Sequence, residues 1–268
     1  MDDEILEKIQ QSELYILTVF DKVCKEHGLT YFLDSGTALG AVRHAGFIPW
    51  DDDVDVGMPR KDYEILMQLG QNVFPTNLFL QNKNTELSYK RNCAKLRLEG
   101  TYFQEIENST YIHNGMYIDI FPFDNLPNNK LFAHINVYYS RILNFVIRSW
   151  HTDTKSHSVI LDFVRRFIDM MPAERIKKME KCYLQFCRKR EHCETRYSTC
   201  YFWRMTQQKN RLFDNEKMYP TREIMFEGKP MRIMNDPDYY LTIMYGNYME
   251  LPPEGKRTWH LKGKVSFD

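Results

Sequence analysis

The run Asp51-Asp52-Asp53-Val54-Asp55-Val56 constrains this chain more than any other feature of its sequence. Successive side chains of a β-strand point to opposite faces, so Asp51, Asp53 and Asp55 are predicted to share one face of a strand. Alternate carboxylates, about 6.6 Å apart along the backbone, can direct their oxygens to shared cations. Two carboxylates 4 Å apart repel by roughly 4 kcal/mol at an effective dielectric near 20, so a partly buried set of three needs a cation or raised pKa values.

A solvent-exposed acidic loop and a calcium-binding loop are the alternative interpretations of this run. An EF-hand loop requires Gly at its sixth position and Glu at its twelfth, where this chain has Val56 and Asp62. The valines at 54 and 56 favour a strand. The preferred prediction is therefore a catalytic metal site.

A further acid lies alone in a second apolar stretch, Met116-Tyr117-Ile118-Asp119-Ile120-Phe121. Lone acids in buried strands are usually paired or bound to a ligand. A neighbouring strand would bring Asp119 to the acidic run. Two metal ions about 3.5 to 4 Å apart, held by three carboxylates, stabilise the attacking and leaving oxygens of a phosphoryl displacement.

The order of predicted elements favours an α/β (α+β) fold with a mixed sheet flanked by helices and a largely helical middle and C-terminal part. Helices are predicted over residues 2–27, 38–44, 60–70 and 239–249, and strands over 29–33, 51–56, 78–82, 92–98 and 116–121. The corresponding segments are an N-terminal helix packed on the core (1–28), a catalytic core (29–130), a basic helical region (131–213) and a C-terminal segment completing the active site (214–268).

Apolar residues recur every three to four positions over residues 159–171, which predicts another helix. Packing on the core is the simpler interpretation of this helix. The other is a helix on a membrane surface, because the basic stretch 175–190 follows closely.

Charge is unevenly distributed although 36 Lys and Arg balance 36 Asp and Glu. Residues 1–130 hold 12 basic and 20 acidic side chains, whereas residues 131–213 hold 16 basic and 7 acidic ones. The overall balance argues against a protein that coats nucleic acid, and the acidic catalytic segment argues against a polymerase-like enzyme with a polyanionic template. The basic middle suits an anionic glycan or membrane surface, or is simply a set of solvated helix faces.

No apolar run approaches the roughly 20 residues of a membrane span, and the acidic start Met-Asp-Asp-Glu does not resemble a signal peptide. A cytoplasmic protein is expected. Its six cysteines fit a reducing compartment. The spacing of Cys182, Cys187, Cys193 and Cys200 does not match familiar zinc sites, so ordinary thiols are favoured over a structural metal.

Residues 31–55, YFLDSGTALGAVRHAGFIPWDDDVD, closely resemble the LicD family of phosphocholine transferases, which belongs to the nucleotidyltransferase-fold superfamily. Ile118–Pro122, Tyr245–Met249 with Pro252 and Pro253, and His260 support the resemblance. It covers residues 30–125 well and 239–260 partly. It implies a nucleotidyltransferase-like catalytic core.

The implied activity is transfer of phosphocholine from CDP-choline to a sugar hydroxyl of a bacterial cell-surface glycan, such as a lipid-carried teichoic acid precursor. The resemblance matches Asp53, Asp55 and Asp119 to the acids that hold Mg²⁺, with two ions expected, and Asp51 is a further ligand or the base. Peripheral association with the inner membrane leaflet is a corresponding expectation. Rival interpretations are transfer of another alcohol phosphate, such as ribitol phosphate, and a non-catalytic metal-stabilised scaffold.

Further residues are predicted to bind the substrates. The turn Ser35-Gly36-Thr37 offers backbone N–H groups to phosphate, although many nucleotidyltransferases have Gly-Gly or Gly-Ser there. Lys95, Arg97 and Arg43 are candidates for neutralising the transferred phosphate, with solvated surface cations as the alternative. A quaternary ammonium is recognised by aromatic faces, and the candidates are Trp50, Tyr245, Tyr248 and Trp259. His260 is predicted either to contact phosphate or to cap the fold.

Overall fold

A computed structural model describes residues 2–89, 91–105, 112–150, 166, 168, 170–202, 211–253, 255, 257 and 259–267. Over these residues the chain is a mixed α/β protein with seven α-helices and eleven β-strands. The helices are α1 (Asp3–Glu26), α2 (Ser35–His44), α3 (Arg60–Leu69), α4 (Lys130–Trp150), α5 (Ala173–Arg188), α6 (Asn215–Met218) and α7 (Pro237–Tyr245). The strands are β1 (Phe32–Leu33), β2 (Asp55–Pro59), β3 (Leu78–Gln81), β4 (Ala94–Leu98), β5 (Tyr102–Glu105), β6 (Tyr117–Asn125), β7 (Tyr197–Thr199), β8 (Phe213–Asp214), β9 (Arg222–Phe226), β10 (Lys229–Ile233) and β11 (Leu261–Ser266).

The chain divides into two compact units, Met1–Pro122 with Phe213–Asp268 (unit 1) and Phe123–Leu212 (unit 2). Unit 1 contains a sheet with the strand order β1-β2-β6-β4-β3. The pairs β1–β2, β4–β6 and β3–β4 are antiparallel. Strand β6 therefore lies at the centre of the sheet, where Asp119 is opposite Lys95 of β4.

The N-terminal helix predicted over residues 2–27 is present as α1. The Asp2 carboxylate accepts a hydrogen bond from the Glu4 N–H at 3.0 Å, which caps the helix. Acids in the first turn and Lys25 in the last turn complement the helix dipole. The buried apolar face of α1 comprises Leu6, Ile9, Ile16, Leu17, Phe20 and Val23, so α1 stabilises unit 1 by packing.

The predicted order of elements along residues 29–121 is confirmed, with shifts at the boundaries. Helix α2 begins at Ser35, earlier than predicted, because the Asp34 side chain caps it by accepting from the Ser35 N–H. Strand β2 begins at Asp55, so Asp51–Val54 precede the strand. The predicted alternation still holds along this segment, since Asp52 and Val54 are buried and the flanking acids are half-buried.

The prediction of a largely helical C-terminal part is wrong. Residues 213–268 combine two helices with four strands, including the antiparallel hairpin β9–β10. Its turn residues Glu227 and Gly228 have φ values of 47° and 71°, as in the type I′ turns that match the twist of paired strands. Strand β11 pairs with β5, so the C-terminal residues complete a two-stranded sheet rather than extend a helix.

Unit 2 is built on α4 and α5. A hydrophobic cluster buries the inner side of α4 against α5 and its neighbours, through Leu126, Ala133, Val137, Ile147, Tyr183, Cys187 and Tyr201. The helix predicted over residues 159–171 lies almost entirely outside the described residues. Of the helices in the described ranges, none is both long enough and apolar enough to cross a membrane.

Candidate active site

The acidic run and the C-terminal segment meet at a compact group of possible metal ligands. One ligand atom each from Asp51, Asp53 and His260 lies within 4.8 Å of the other two. His260 Nδ1 is 3.3 Å from Asp53 Oδ2. Two carboxylates and an imidazole form a donor set that suits a divalent cation. The structure thus brings together residues that are more than 200 positions apart in the chain.

The first turn of α2 lies directly against this group. A Cβ atom added to Gly36 would be 2.8 Å from Asp51 Oδ2, so only glycine lets the backbone approach the carboxylate this closely. Thr37 Oγ1 accepts a hydrogen bond from the Asp55 N–H at 2.8 Å. Ser35 adopts a left-handed φ of 46°, which is uncommon for a residue other than glycine. The predicted phosphate turn and the acidic run therefore form one local structure.

Asp119 reaches the site from the central strand. Its N–H donates to the Val54 carbonyl at 2.8 Å, which joins β6 to the end of the acidic run. Its Oδ2 atom accepts a hydrogen bond from Lys95 Nζ at 3.0 Å. Its Oδ1 atom is buried and has no hydrogen-bond partner among the described residues. A buried carboxylate oxygen of this kind is a free ligand position for a metal ion.

Asp53 belongs to the three-residue group, whereas the carboxylates of Asp55 and Asp119 lie outside it. Electrostatics still link these acids, because burial and then the charges of Asp53 and Asp119 raise the pKa of Asp55. An oxygen-rich set of this size fits a hard cation, and the orphaned Asp119 oxygen fits the same interpretation. The residues present thus fit a bound metal ion.

Burial and mutual repulsion raise the pKa values of the acids in this site. Burial is the largest cause for Asp51 and Asp55, and the neighbouring Asp53 charge adds to it. Burial also raises the pKa of Asp53, although the His260 charge opposes that shift. Glu13 of α1 is buried and is influenced by the same acids. Burial and the charges of the acidic run raise its pKa well above the usual range.

His260 is held by a residue that the sequence interpretation placed on the opposite face of the acidic run. Asp52 is fully buried and accepts hydrogen bonds from the backbone N–H of His260 at 2.7 Å and of Leu261 at 2.8 Å. The Asp53 charge and the contact with Asp52 raise the pKa of His260 to about 9. The imidazole is therefore positively charged at neutral pH in the metal-free protein.

Lys95, which contacts Asp119, belongs to a buried network of charged side chains. Glu105 accepts hydrogen bonds from Lys95 at 2.9 Å and from Arg97 at 3.2 Å, and Arg91 is 3.7 Å away. Burial alone would raise the pKa of Glu105, but these three cations hold it well below its usual range. Lys95 Nζ also lies 3.2 Å from the centroid of the Tyr117 ring.

Arg97 is fully buried, and its guanidinium group is oriented within this network. Its nitrogens donate to the Gln81 side chain at 2.6 Å, the Gly115 carbonyl at 2.5 Å and Glu105. These contacts position Arg97 as a support for the sheet. Lys95, also fully buried, contacts Asp119 directly and is the nearer of the two to the acids.

The other predicted substrate residues lie in two further groups. Arg43 donates to the Tyr248 carbonyl at 2.9 Å, and Tyr248 lines an open cavity with Lys217 and Arg222. The Trp50 ring lies 4.2 Å from the Arg257 guanidinium carbon. The remaining predicted aromatics are partly exposed, by 43 % for Tyr245 and 37 % for Trp259. Trp259 adjoins His260 in the chain, which keeps it near the acids.

Sequence reasoning missed Asp52, Glu105 and Glu13. The alternation of the acidic run pointed to Asp51, Asp53 and Asp55, which lie on the opposite face of the run from Asp52. Glu105 lies in a short strand with no motif, and Glu13 is one acid in a helix with many charges. Only the pairing of β5 with β11 and the packing of α1 bring these residues to the site.

The cysteines form no comparable group among the described residues. Cys187 and Cys200 are buried, whereas Cys182 and Cys193 are exposed. All six cysteines are free thiols.

Comparison with known proteins identifies the domain that carries the acidic residues of this site. Residues 28–153 match the family model described as LicD/FKTN/FKRP, nucleotidyltransferase domain. The chain carries a LicD/FKTN/FKRP nucleotidyltransferase domain. The acidic run, the α2 turn, Lys95 and Asp119 all lie within the matched residues.

The lipopolysaccharide cholinephosphotransferase LicD of Haemophilus influenzae is 28 % identical over 261 residues, covering 92 % of each chain. The human ribitol 5-phosphate transferase FKRP is 37 % identical over 57 residues, which are 21 % of this chain and 11 % of that protein. The first similarity extends through the C-terminal segment and supports a phosphotransferase enzyme. The second is confined to a short part of the domain.

Proposed function

We propose that this protein is a Mg²⁺-dependent transferase that moves phosphocholine from CDP-choline to a sugar hydroxyl of a bacterial cell-surface glycan. A teichoic acid precursor on a lipid carrier, at the inner face of the membrane, is the proposed acceptor. The main observation that supports this proposal is that Asp51, Asp53 and His260 lie together beside the first turn of α2. The similarity to a cholinephosphotransferase over 92 % of each chain supports CDP-choline as the donor.

Asp53, Asp55 and Asp119 are proposed to hold Mg²⁺, with Asp51 close enough to add a ligand. When bound, the ions would supply positive charge that polarises the diphosphate and stabilises the in-line displacement. Lys95 orients the Asp119 carboxylate through their 3.0 Å contact. The orphaned Oδ1 atom of Asp119 supports its role as a ligand.

In the proposed reaction, the acceptor hydroxyl oxygen bonds to the choline-side phosphorus while the bond from that phosphorus to the bridging oxygen breaks. CMP leaves with the bridging oxygen, and the hydroxyl proton passes to a carboxylate. Asp51 is our candidate for this base, because burial raises its pKa above the ordinary value for a carboxyl and its side chain is only partly buried. The backbone of the Ser35-Gly36-Thr37 turn is proposed to orient the phosphate.

Recognition of choline is assigned to aromatic faces near the acids. Trp259 is partly exposed beside His260, and the ring of Trp50 already has a guanidinium group over it. Each such face contributes roughly 0.5 to 2 kcal/mol to binding a quaternary ammonium. Tyr245 and Tyr248 are proposed to line the acceptor side, where Tyr248 borders a cavity containing Lys217 and Arg222.

Transfer of a different alcohol phosphate, such as ribitol phosphate, is the second candidate. The short similarity to a ribitol 5-phosphate transferase favours it. The acids around the metal would serve either donor equally, because they act on the phosphate groups common to both.

The test is release of CMP from a panel of CDP-alcohols incubated with Mg²⁺ and a glycan acceptor. We expect release from CDP-choline that depends on acceptor and stops when EDTA is added. Release from CDP-ribitol and none from CDP-choline would exclude the choline assignment. Trp259→Leu is the matched variant, and it should raise KM for CDP-choline about tenfold while changing KM for CDP-ribitol little.

A further inference from the structure

An exposed apolar face covers the outer side of α4 in unit 2. Six large apolar residues of this helix are each 50 to 67 % exposed. We call them the α4 apolar face: Leu131, Phe132, Ile135, Tyr138, Tyr139 and Ile142. Soluble proteins usually expose large apolar residues singly, and a contiguous set of this kind marks an interaction surface.

The inner and outer sides of α4 are both apolar, but only the inner side is buried. Ala133, Val137 and Ile147 are buried in the core of unit 2. At 100° per residue, the α4 apolar face is centred opposite these positions, and none of its six residues belongs to the buried core cluster. The helix also contains no Asp or Glu between Lys130 and Trp150. Within the described part of unit 2, this face thus lies outside the buried core and carries no negative charge.

A row of basic residues accompanies this face on α5. The Tyr139 ring of α4 packs edge-to-face on Phe186 of α5, with ring centroids 5.2 Å apart. Arg175 and Lys178 of α5, and Lys189 at its C-cap, are successively three and eleven residues apart, which at 100° per residue places them on the same side of the helix as Phe186. All three are exposed. We call them the α5 basic row, and the Tyr139 contact places it beside the α4 apolar face.

We infer that the α4 apolar face and the α5 basic row bind the surface of an anionic lipid bilayer. Leu, Phe, Ile and Tyr side chains enter the boundary between headgroups and acyl chains, while Lys and Arg side chains pair with anionic headgroups. This inference rests on the proposed function in one respect, since an acceptor on a lipid carrier lies at such a surface. It extends that function by assigning the contact to particular residues.

The positive charge of the α5 basic row favours a bilayer, rather than a second copy of the chain, as the partner of this surface. A two-fold contact places the same patch of both copies together, so the two α5 basic rows would come close and repel each other. Residues 131–213 as a whole carry 16 basic and 7 acidic side chains, which strengthens that repulsion. The same charges attract a negatively charged membrane.

Flotation of the full-length protein with vesicles tests the inference. One set of vesicles contains phosphatidylcholine alone, and the other contains phosphatidylcholine mixed with phosphatidylglycerol. We expect the protein to float with the anionic vesicles, and we expect added salt to reduce binding. Phe132→Ser with Ile135→Ser should weaken binding about tenfold or more, because both side chains would otherwise enter the lipid.

Two further variants make the result specific. Lys178→Glu with Lys189→Glu should remove the preference for phosphatidylglycerol while leaving the α4 apolar face intact. Leu87→Ser with Met225→Ser is the matched control, because these residues are 94 % and 50 % exposed but lie in unit 1. The control should bind as the wild type does. Circular dichroism and Tm verify that every variant is folded.

Absence of wild-type binding to the anionic vesicles would overturn the inference, as would equal binding of the α4 double variant. A dimer in light scattering that becomes a monomer in the α4 double variant would assign the face to contact between copies instead. CMP release without vesicles is measured in parallel. Normal release with failed flotation refutes the membrane contact alone, whereas failed release from every CDP-alcohol refutes the proposed function alone.

Discussion

The backbone N–H of His260 donates a 2.7 Å hydrogen bond to the fully buried carboxylate of Asp52. This bond joins the C-terminal segment to the acidic run, and the Leu261 N–H adds a second donor to the same carboxylate. Asp52 therefore positions the imidazole that completes the candidate metal group. It acts through the backbone of the C-terminal segment.

Asp52→Ala should destabilise the protein by about 2 to 3 kcal/mol, because two backbone donors lose a charged acceptor. Turnover should fall as well, since His260 is no longer held beside Asp53. Urea unfolding and CMP release measure the two effects. Asp52→Asn retains one acceptor oxygen and should lose less of both. Equal stability of Asp52→Ala and the wild type would contradict this role.

Gly36→Ala should reduce turnover by about tenfold to a hundredfold with little loss of stability. The added Cβ would be 2.8 Å from Asp51 Oδ2, so the carboxylate must move away from the α2 turn. Steady-state kinetics test this result. Gly255→Ala is the matched control, because its Cβ meets nothing within 4 Å. If both variants retain full turnover, close approach of the turn to Asp51 is not needed.

Lys95→Met should destabilise the protein by about 3 to 5 kcal/mol. The substitution leaves the carboxylates of Glu105 and Asp119 without the buried cation that contacts both. Chemical denaturation gives the magnitude. In a double-mutant cycle with Glu105→Gln, the second change should cost less in Lys95→Met than in the wild type. Strict additivity of the two losses would show that this ion pair does not couple the residues.

Asp53→Asn should lower CMP release about a thousandfold while the fold is retained. The metal-free variant should be at least as stable as the wild type, because one member of a repelling cluster is neutralised. Calorimetry with Mg²⁺ should show weakened binding. Asp3→Asn, a change at an exposed acid in the first turn of α1, is the control. Undiminished turnover of Asp53→Asn would overturn its proposed role as a ligand.

The stability of the metal-free protein should fall as pH rises from about 5 to about 9. Burial raises the pKa values of Asp51 and Asp55 above the usual value of about 3.9, so the folded state holds more protons than the unfolded state. The His260 contribution has the same sign, because its pKa is raised from the ordinary 6.5 to about 9. Its stabilisation is complete below about pH 6.5 and is lost as the pH rises to about 9. Glu105, with a lowered pKa, adds a contribution that is constant above about pH 5.

Urea unfolding at several pH values, in EDTA and in Mg²⁺, measures this dependence. Mg²⁺ should reduce the pH dependence, because a bound cation keeps the carboxylates ionised in the folded state. Stability that rises with pH in EDTA over this interval would show that the acids are not protonated in the folded protein.

Local patterns in the sequence were enough to predict most of unit 1. The 3.6-residue periodicity of α1 and α3 and the apolar stretches of β3, β4 and β6 each depend on neighbouring residues alone. The C-terminal hairpin was missed because its signal is a two-residue turn, Glu227-Gly228, whose positive φ values are set by pairing.

The alternation of Asp51, Asp53 and Asp55, with Asp119 alone in an apolar strand, determined from sequence that acids would gather at one site. Which atoms meet was decided by tertiary structure. Pairing of β11 with β5 brings His260 to Asp53, and the order of strands puts Lys95 against Asp119. These contacts join residues far apart in the chain, so their formation depends on packing of the whole unit, which no local pattern encodes.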